Sequence, residues 1–340
     1  MRPVPSRSRP AFTLVELLTV VAIIVLLISI LVPAVQSART QAKQTTTSGL
    51  LKSLATGCEM FKTDFKRYPQ SRGYNPFEEN DVLLFGAQWL ALQLLGADMR
   101  GYVAPDLRND ADGNGVIDHI DWRDWYALPA NRIDPDREYT RNGPYADVDA
   151  KHIRTIKRIL QENPDVVGIP EGLVGDDDGG SGGSSEWNTG RLAFFVDAWE
   201  YPVLYYAANP QVDEPFTTGT PTGDFVVGRY DQCDNAAFTG SDGGHGRFPL
   251  DTPGWDLTGT AEDPDRFKHP LGEFRYERGQ TTRPEPGTFE GFVYNEQTFE
   301  STRVDDQGRI WPHNPDSFLL ISTGPDGRFG TTDDVTNFER

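Results

Sequence analysis

The chain opens with a long run of apolar positions. Residues 12–35 contain a single charged side chain, Glu16, and residues 17–35 contain none. At about 1.5 Å of rise per residue, the uncharged stretch spans about 28 Å as a helix, which matches the hydrocarbon core of a bilayer. The pattern therefore predicts a transmembrane helix over residues 12–35.

The pattern then becomes amphipathic while keeping a helical period. Pro33 is expected to open the hydrogen-bond ladder and to kink the helix. We predict that residues 36–68 continue the same helix into a globular domain and that Tyr68 and Pro69 end it. Apolar residues recur at roughly helical spacing at Val35, Leu50, Leu51, Leu54, Ala55, Cys58, Met60 and Phe61.

The remaining residues, 69–340, show short elements separated by loops. The patterns predict helices at residues 81–95, which Gly96 stops, and 152–162. They predict strands at residues 194–206, 225–230, 291–294 and 317–322, and a loop rich in Asp, Gly and Ser at 175–185. We expect an α+β fold, in which a helical spine carries a small antiparallel sheet with large insertions at about 97–190 and 207–290.

Charge and composition narrow the classes of function. The chain holds 51 Asp and Glu against 32 Lys and Arg, and its net charge of −19 argues against a nucleic-acid partner. The sequence lacks nucleophile-elbow, metalloprotease and phosphate-binding motifs, so we expect no enzyme. Cys58 and Cys233 either pair in an oxidising periplasm or remain separate thiols.

A short basic segment precedes the apolar run. Residues 1–11 hold Arg2, Arg7 and Arg9 and no acid, which predicts a cytoplasmic N-terminus and a domain beyond the inner membrane. A secretory signal peptide has a shorter apolar stretch, followed by a small-residue cleavage site. A plain signal anchor leaves Glu16 unexplained, because a carboxylate inside a membrane segment is costly unless it is paired.

Residues 11–18, Ala-Phe-Thr-Leu-Val-Glu-Leu-Leu, resemble the class III signal of type IV pilins and type II secretion pseudopilins. In that family a Glu follows the Phe by four positions, as Glu16 does here, and a Pro often occupies the position of Pro33. The family usually has Gly before the cut, where this chain has Ala11. Residues 197–206 are similar to an Asp-x-Trp-Gly-x-Pro-type segment of major pseudopilins, with Glu200 in place of the Gly.

The resemblance implies processing and assembly. A prepilin peptidase would cut between Ala11 and Phe12 and methylate the new amine of Phe12. Glu16 would pair with that amine on a neighbouring subunit, because two charges that are costly alone in lipid are tolerable together. The alternative for Glu16 is an intramolecular role at the positive end of the helix dipole. Pro33 would belong to the same assembly helix.

The implied function is a structural subunit of a type II secretion pseudopilus or a type IV pilus-like filament. Its implied partners are the prepilin peptidase, other copies of the chain or related pilins, and an inner-membrane assembly platform. The domain beyond the membrane would lie in the periplasm or in an extracellular filament. The alternative function is a membrane-anchored binding module or enzyme that uses a pilin-like leader.

Residues 110–121 have the ligand spacing of an EF-hand-type calcium loop. Alternating Asp and Asn side chains around a tight turn at Gly115 supply the hard oxygen ligands that Ca²⁺ prefers. Asp121 stands where a bidentate Glu is usual, as in dockerin-like loops. The alternative is a solvated acidic turn. The candidate ligands are Asp110, Asp112, Asn114, the carbonyl of Val116, Asp118 and Asp121.

A second acidic loop follows the last predicted strand. Residues 322–335 are similar to the calcium loop that closes the sheet of major pseudopilins, and their glycines permit tight turns. The alternative is a Gly-rich terminal turn without a metal. The candidate Ca²⁺ ligands here are Ser322, Asp326 and Asp333 or Asp334.

Overall fold

A computed structural model describes residues 14–78, 83–155, 192–219, 225–239, 269–272, 282–298 and 310–339. They form two units, one up to residue 45 and one from residue 46. The helices are α1 (Leu14–Phe65), α2 (Gly86–Leu95), α3 (His119–Tyr126), α4 (Ala236–Thr239) and α5 (Phe289–Val293). The strands are β1 (Gly73–Tyr74), β2 (Leu83–Leu84), β3 (Tyr102–Val103), β4 (Arg141–Asn142), β5 (Ile153–Thr155), β6 (Ala193–Phe195), β7 (Leu204–Ala207), β8 (Thr218–Gly219), β9 (Phe225–Val226), β10 (Phe318–Ser322) and β11 (Val335–Thr336). A long helix with small antiparallel sheets confirms the α+β class.

Helix α1 begins with the apolar run of the sequence. Its length and composition are sufficient to cross a membrane. Pro33 lies inside α1, so the helix continues past it. The helix ends at Phe65, slightly before the predicted end, where Lys66 adopts a left-handed φ of 60° and donates its N–H to the carbonyl of Lys62 at 2.8 Å. A left-handed residue is a common helix terminator.

The last turns of α1 pack into the core of the second unit. Leu54, Cys58 and Phe61 are fully buried there, which confirms most of the predicted apolar stripe. Met60 is exposed, because it lies off the face that these three residues share. Helix α2, which is buried on every side, belongs to the same core cluster.

The central sheet has the strand order β11-β10-β7, and both pairings are antiparallel. Side chains satisfy the outer edge of β7: Asn235 donates to the carbonyl of Tyr205 at 2.8 Å, and Ala207 donates its N–H to the hydroxyl of Ser71 at 3.0 Å. Because unpaired edge groups invite pairing with another strand, these bonds close that edge of the sheet. Four two-stranded ladders complete the strands: β1-β2, β3-β4, β5-β6 and β8-β9.

The helix predicted over residues 81–95 begins later, at Gly86. Residues 83–84 instead pair with residues 73–74 as a small ladder. A Cβ at Gly86 would lie 2.1 Å from the carbonyl oxygen of Tyr205, so glycine permits the helix to start against the central sheet. The boundary thus depends on a close approach between distant parts of the chain.

Three other predictions differ from the structure. The predicted strand 194–206 is two strands, β6 and β7, separated by a turn. The predicted helix 152–162 is wrong in its described part, because Ile153–Thr155 is β5 and pairs with β6. The predicted strand 291–294 is wrong, because Thr288 caps helix α5 by accepting the N–H of Gly291 at 3.1 Å.

The remaining predicted elements have mixed outcomes. The strand predicted at 225–230 covers only Phe225–Val226. The strand predicted at 317–322 is confirmed as the fully buried β10. The loop predicted at 175–185 lies outside the described residues.

Candidate metal sites and membrane helix

Glu16 lies in the first turn of α1, where an acid faces the positive end of the helix dipole. It is the one charged residue between residues 14 and 35. The hydroxyls in this stretch bond within the helix: Thr19 donates to the carbonyl of Glu16 at 3.0 Å and Ser29 to that of Leu26 at 2.7 Å. Such internal bonding suits a helix in lipid. Ala11 and Phe12, the predicted cleavage site, lie outside the described residues.

The first acidic loop is folded around the carboxylate of Asp110. Asp110 accepts the backbone N–H of Gly113 at 2.6 Å and that of Gly115 at 2.7 Å. Both glycines have positive φ values, 76° and 84°, which a residue with a side chain rarely adopts. The N–H of Gly115 is the main cause of the lowered pKa of Asp110. The carboxylate is therefore held ionised at the centre of the loop.

Helix α3 positions the other end of this loop. Asp118 caps the helix by accepting the N–H of Ile120 at 2.8 Å. Asp121 is fully buried and accepts the N–H of Asp118 at 2.9 Å and that of Ala111 at 2.5 Å. The buried Trp125 ties the same helix to the loop by donating to the carbonyl of Asn109 at 2.7 Å. Asp121 is thereby held beneath the turn.

Three of the predicted ligands converge in this loop. Oxygens of Asp110, Asp112 and Asp121 lie within 4.8 Å of one another. The amide of Asn114 borders them, because it donates to Asp112 at 3.0 Å and to Asp118 at 3.4 Å. The N–H of Val116 is donated to Asn114 Oδ1 at 2.7 Å. The arrangement offers carboxylate oxygens to a hard cation.

The second acidic loop joins β10 to β11. Oxygens of Asp326, Asp333 and Asp334 lie within 4.8 Å of one another. Thr331 donates its hydroxyl to Asp333 at 2.6 Å, and Asp334 accepts the N–H of Gly330 at 2.8 Å. Burial is the main cause of the raised pKa of Asp326, and the negative charge of Asp333 adds to it. A cation among these carboxylates would relieve their mutual repulsion.

Ser322, predicted as a ligand of the second site, has its hydroxyl bonded to another carboxylate. Its hydroxyl donates to Asp197 at 2.6 Å in a buried position. Asp197 also accepts the N–H of Trp199 at 2.7 Å and that of Tyr201 at 3.0 Å. Glu200 adopts a φ of 74°, so it keeps the turn that a Gly would make there. The sequence resemblance at 197–206 thus corresponds to a buried turn organised by Asp197.

The two cysteines are separate thiols, of which Cys58 is buried. Burial raises the pKa of the Cys58 thiol well above its usual value. A protonated thiol is a poor nucleophile and behaves as a small core residue.

Comparison with known proteins gives one relationship to a secretion protein. Type II secretion system core protein G of Pseudomonas aeruginosa is 38% identical to this chain over 66 residues. These residues make up 19% of the chain and 46% of that protein, so the match spans about half the length of the curated relative. The chain is thus a partial homologue of a major pseudopilin, and its long apolar helix fits a pilin-like spine. No protein-family model and no solved structure matches the chain.

Proposed function

We propose that this chain is a structural subunit, and not an enzyme, of a type II secretion pseudopilus or a related pilus-like filament. The similarity to core protein G carries this proposal. It is supported by helix α1, which joins an apolar stretch with one acid, Glu16, to a buried stripe in the second unit. A helix of this kind serves both as a membrane anchor and as a packing element between subunits.

Processing and assembly follow from the same segment. We propose that a prepilin peptidase cuts between Ala11 and Phe12 and methylates Phe12, and that an inner-membrane platform extracts the mature chain. The carboxylate of Glu16 then pairs with the amine of Phe12 on a neighbouring copy, which removes the cost of both charges in an apolar bundle. Pro33 opens one backbone bond inside this packing segment.

We also propose that both acidic loops bind Ca²⁺. The three converging carboxylates in each loop support this, because unneutralised carboxylates repel each other at these separations. The first site would use Asp110, Asp112 and Asp121, with Asn114 and Asp118 beside them. The second would use Asp326, Asp333 and Asp334.

Two measurements test the filament proposal. Mass spectrometry of the membrane-fraction protein should show loss of residues 1–11 and gain of one methyl group. Glu16→Ala should abolish incorporation into filaments without loss of folding, whereas Glu16→Asp should retain part of it because the charge is kept. Ser29→Ala, in the same helix, serves as the control and should assemble normally. An intact N-terminus or normal assembly of Glu16→Ala would contradict the proposal.

One observation favours the alternative of an anchored binding module. The described residues contain a cleft of about 840 Å³, a size that suits small ligands. A filament subunit with a ligand site is compatible with both functions.

A further inference from the structure

The part of α1 just after the apolar stretch is polar and carries only positive charge. We call this segment, residues 36–45, the neck. Its charged side chains are Arg39 and Lys43, and both are exposed. The neck belongs to the first unit of the chain. Because the two cations are four residues apart, they share one face of the helix. A cationic face therefore follows directly on the membrane anchor.

This cationic face contrasts with the rest of the chain. Residues 17–58 contain no acid, and 50 of the 51 acids of the chain follow residue 58. The neck hydroxyl of Thr40 bonds within the helix, where it donates to the carbonyl of Gln36 at 3.2 Å. The strongest electrostatic interaction that the neck offers to its surroundings is thus with an anion.

The position of the neck along α1 selects the kind of anion. The last apolar residue before it is Val35. At about 1.5 Å of rise per residue, Arg39 lies about 6 Å and Lys43 about 12 Å further along the helix. The polar headgroup region adds about 5–8 Å to each side of the hydrocarbon core of a bilayer. Arg39 is thus level with the headgroups when the apolar stretch spans the core.

The direction of α1 brings the second cation towards the same depth. Side chains of an α-helix lean towards its N-terminus, and the N-terminal part of α1 is the apolar part. The long side chain of Lys43 therefore leans back towards the membrane surface, with its methylene groups along the helix and its ammonium group in the polar layer. The guanidinium of Arg39 donates in a planar fork, which suits the oxygens of a phosphate.

We propose that Arg39 and Lys43 bind the headgroup of an anionic phospholipid on the side of the membrane where the neck emerges. The proposal rests on the membrane anchor of the proposed function. The competing anion is the acidic domain of a second copy. The depth of the neck favours the lipid, because headgroups surround the neck of every inserted chain, whereas a second copy reaches it only during assembly. Extraction of the chain into a filament would have to break this contact.

The test measures which lipids the purified full-length chain retains in detergent, by native mass spectrometry. The probes are equimolar dioleoylphosphatidylglycerol and dioleoylphosphatidylcholine, which share their tails and a phosphate and differ in net charge. We expect the anionic lipid to be retained at least about fivefold more than the zwitterionic one, which is the effect of one cation near an anionic surface. This ratio should fall as the ionic strength rises.

The variant that carries both Arg39→Gln and Lys43→Gln should lower the ratio at least about threefold. Glutamine removes the charge and keeps a high helix propensity. Lys52→Gln, at an exposed cation further along α1, is the matched control and should keep the ratio. The arginines of residues 1–11 are the same in every variant, so they do not contribute to the difference.

An unchanged ratio in the double variant would overturn the proposal. An equal loss in Lys52→Gln would also overturn it, because charge and not position would then decide retention. Reduced self-association of the double variant at an unchanged lipid ratio would assign the neck to the acidic domain of a second copy. Flotation with vesicles of the same two lipids tests the anchor separately. A chain that does not float contradicts the membrane anchor, whereas a chain that floats with an unchanged ratio contradicts the lipid site alone.

Discussion

Ser322, the last residue of β10, donates its hydroxyl to the buried carboxylate of Asp197 at 2.6 Å. The two residues are far apart in the sequence, and their bond joins the turn between β6 and β7 to the start of the second acidic loop. Tyr201, in the same turn, lies so close to Gly327 that a Cβ there would be 2.6 Å from the tyrosine oxygen. The Asp197 turn therefore supports the loop that offers Asp326, Asp333 and Asp334.

Removal of the Asp197 carboxylate should destabilise the domain strongly. Asp197→Ala leaves two backbone N–H groups and the Ser322 hydroxyl without their acceptor, so we expect a loss of about 3 kcal/mol in the free energy of unfolding. Asp197→Asn keeps one acceptor oxygen and should lose less. Urea unfolding of the detergent-solubilised chain, followed by tryptophan fluorescence, measures the difference. The exposed Asp147→Ala is the control, and equal stability of Asp197→Ala and this control would refute the role of the turn.

Two glycines in helices should respond to alanine in opposite directions. Gly86→Ala places a Cβ 2.1 Å from the carbonyl oxygen of Tyr205, so we expect a loss of about 2 kcal/mol from the forced displacement of α2 or β7. Gly49→Ala meets nothing within 4 Å and should stabilise α1 by up to about 1 kcal/mol, because alanine favours a helix. The same urea titration measures both. A stable Gly86→Ala would show that α2 does not need this close approach.

Removal of Ca²⁺ should lower the melting temperature. An ion that binds only the folded state stabilises it by mass action, so the purified chain should melt at a lower temperature with a chelator than with excess Ca²⁺. Asp112→Asn should remove the part of this Ca²⁺-dependent increase in melting temperature that comes from the first loop. Asp333→Asn should remove the part that comes from the second loop.

The variant carrying both substitutions is the decisive sample for Ca²⁺. It should melt at one temperature whether chelator or Ca²⁺ is present. Mg²⁺ serves as the matched ion, because it demands a smaller, near-ideal octahedral shell and usually keeps several of its waters. Identical melting of the unaltered chain with chelator and with Ca²⁺ would exclude both sites.

The stability of the domain should fall as the pH rises from mildly acidic to neutral because of Asp234. Burial raises its pKa from 3.8 to about 7, so the folded state holds the proton more tightly than the unfolded chain. That contribution is complete below the unfolded pKa and is lost as pH rises through about 7. Integration predicts a loss of about 1 kcal/mol between about pH 6 and pH 8.

Asp234→Asn should remove this pH dependence, because an amide does not titrate in that range. Urea titrations at several pH values compare its slope with that of the unaltered chain. Asp147→Asn, at an exposed carboxylate, should keep the original slope. A slope in Asp234→Asn equal to that of the unaltered chain would assign the pH dependence to another group.

The candidate metal loops show which contacts can be predicted from the spacing of neighbouring residues and which cannot. Asp110, Asp112 and Asp121 converge as predicted, because all three belong to one short segment, a loop and the first turn of α3, whose path its glycines and helix cap dictate. The resemblance to a pseudopilin calcium loop predicts Ser322 in the second site, and its hydroxyl donates to Asp197. No local sequence pattern predicts the bond between Ser322 and Asp197, because the two residues come together only when β7 and β10 pair.

The sequence by itself determined the apolar helix with its single acid, the amphipathic stripe that follows, and the two acidic loops. These features depend on the composition and spacing of neighbouring residues, which set local conformation and charge. Tertiary structure alone decided that residues 153–155 are a strand, that residues 291–293 are helical, and that the carboxylate of Asp234 is buried against Ser71. Each of these depends on contacts between distant segments, and the energy of such contacts outweighs the weak preferences of a short stretch of chain.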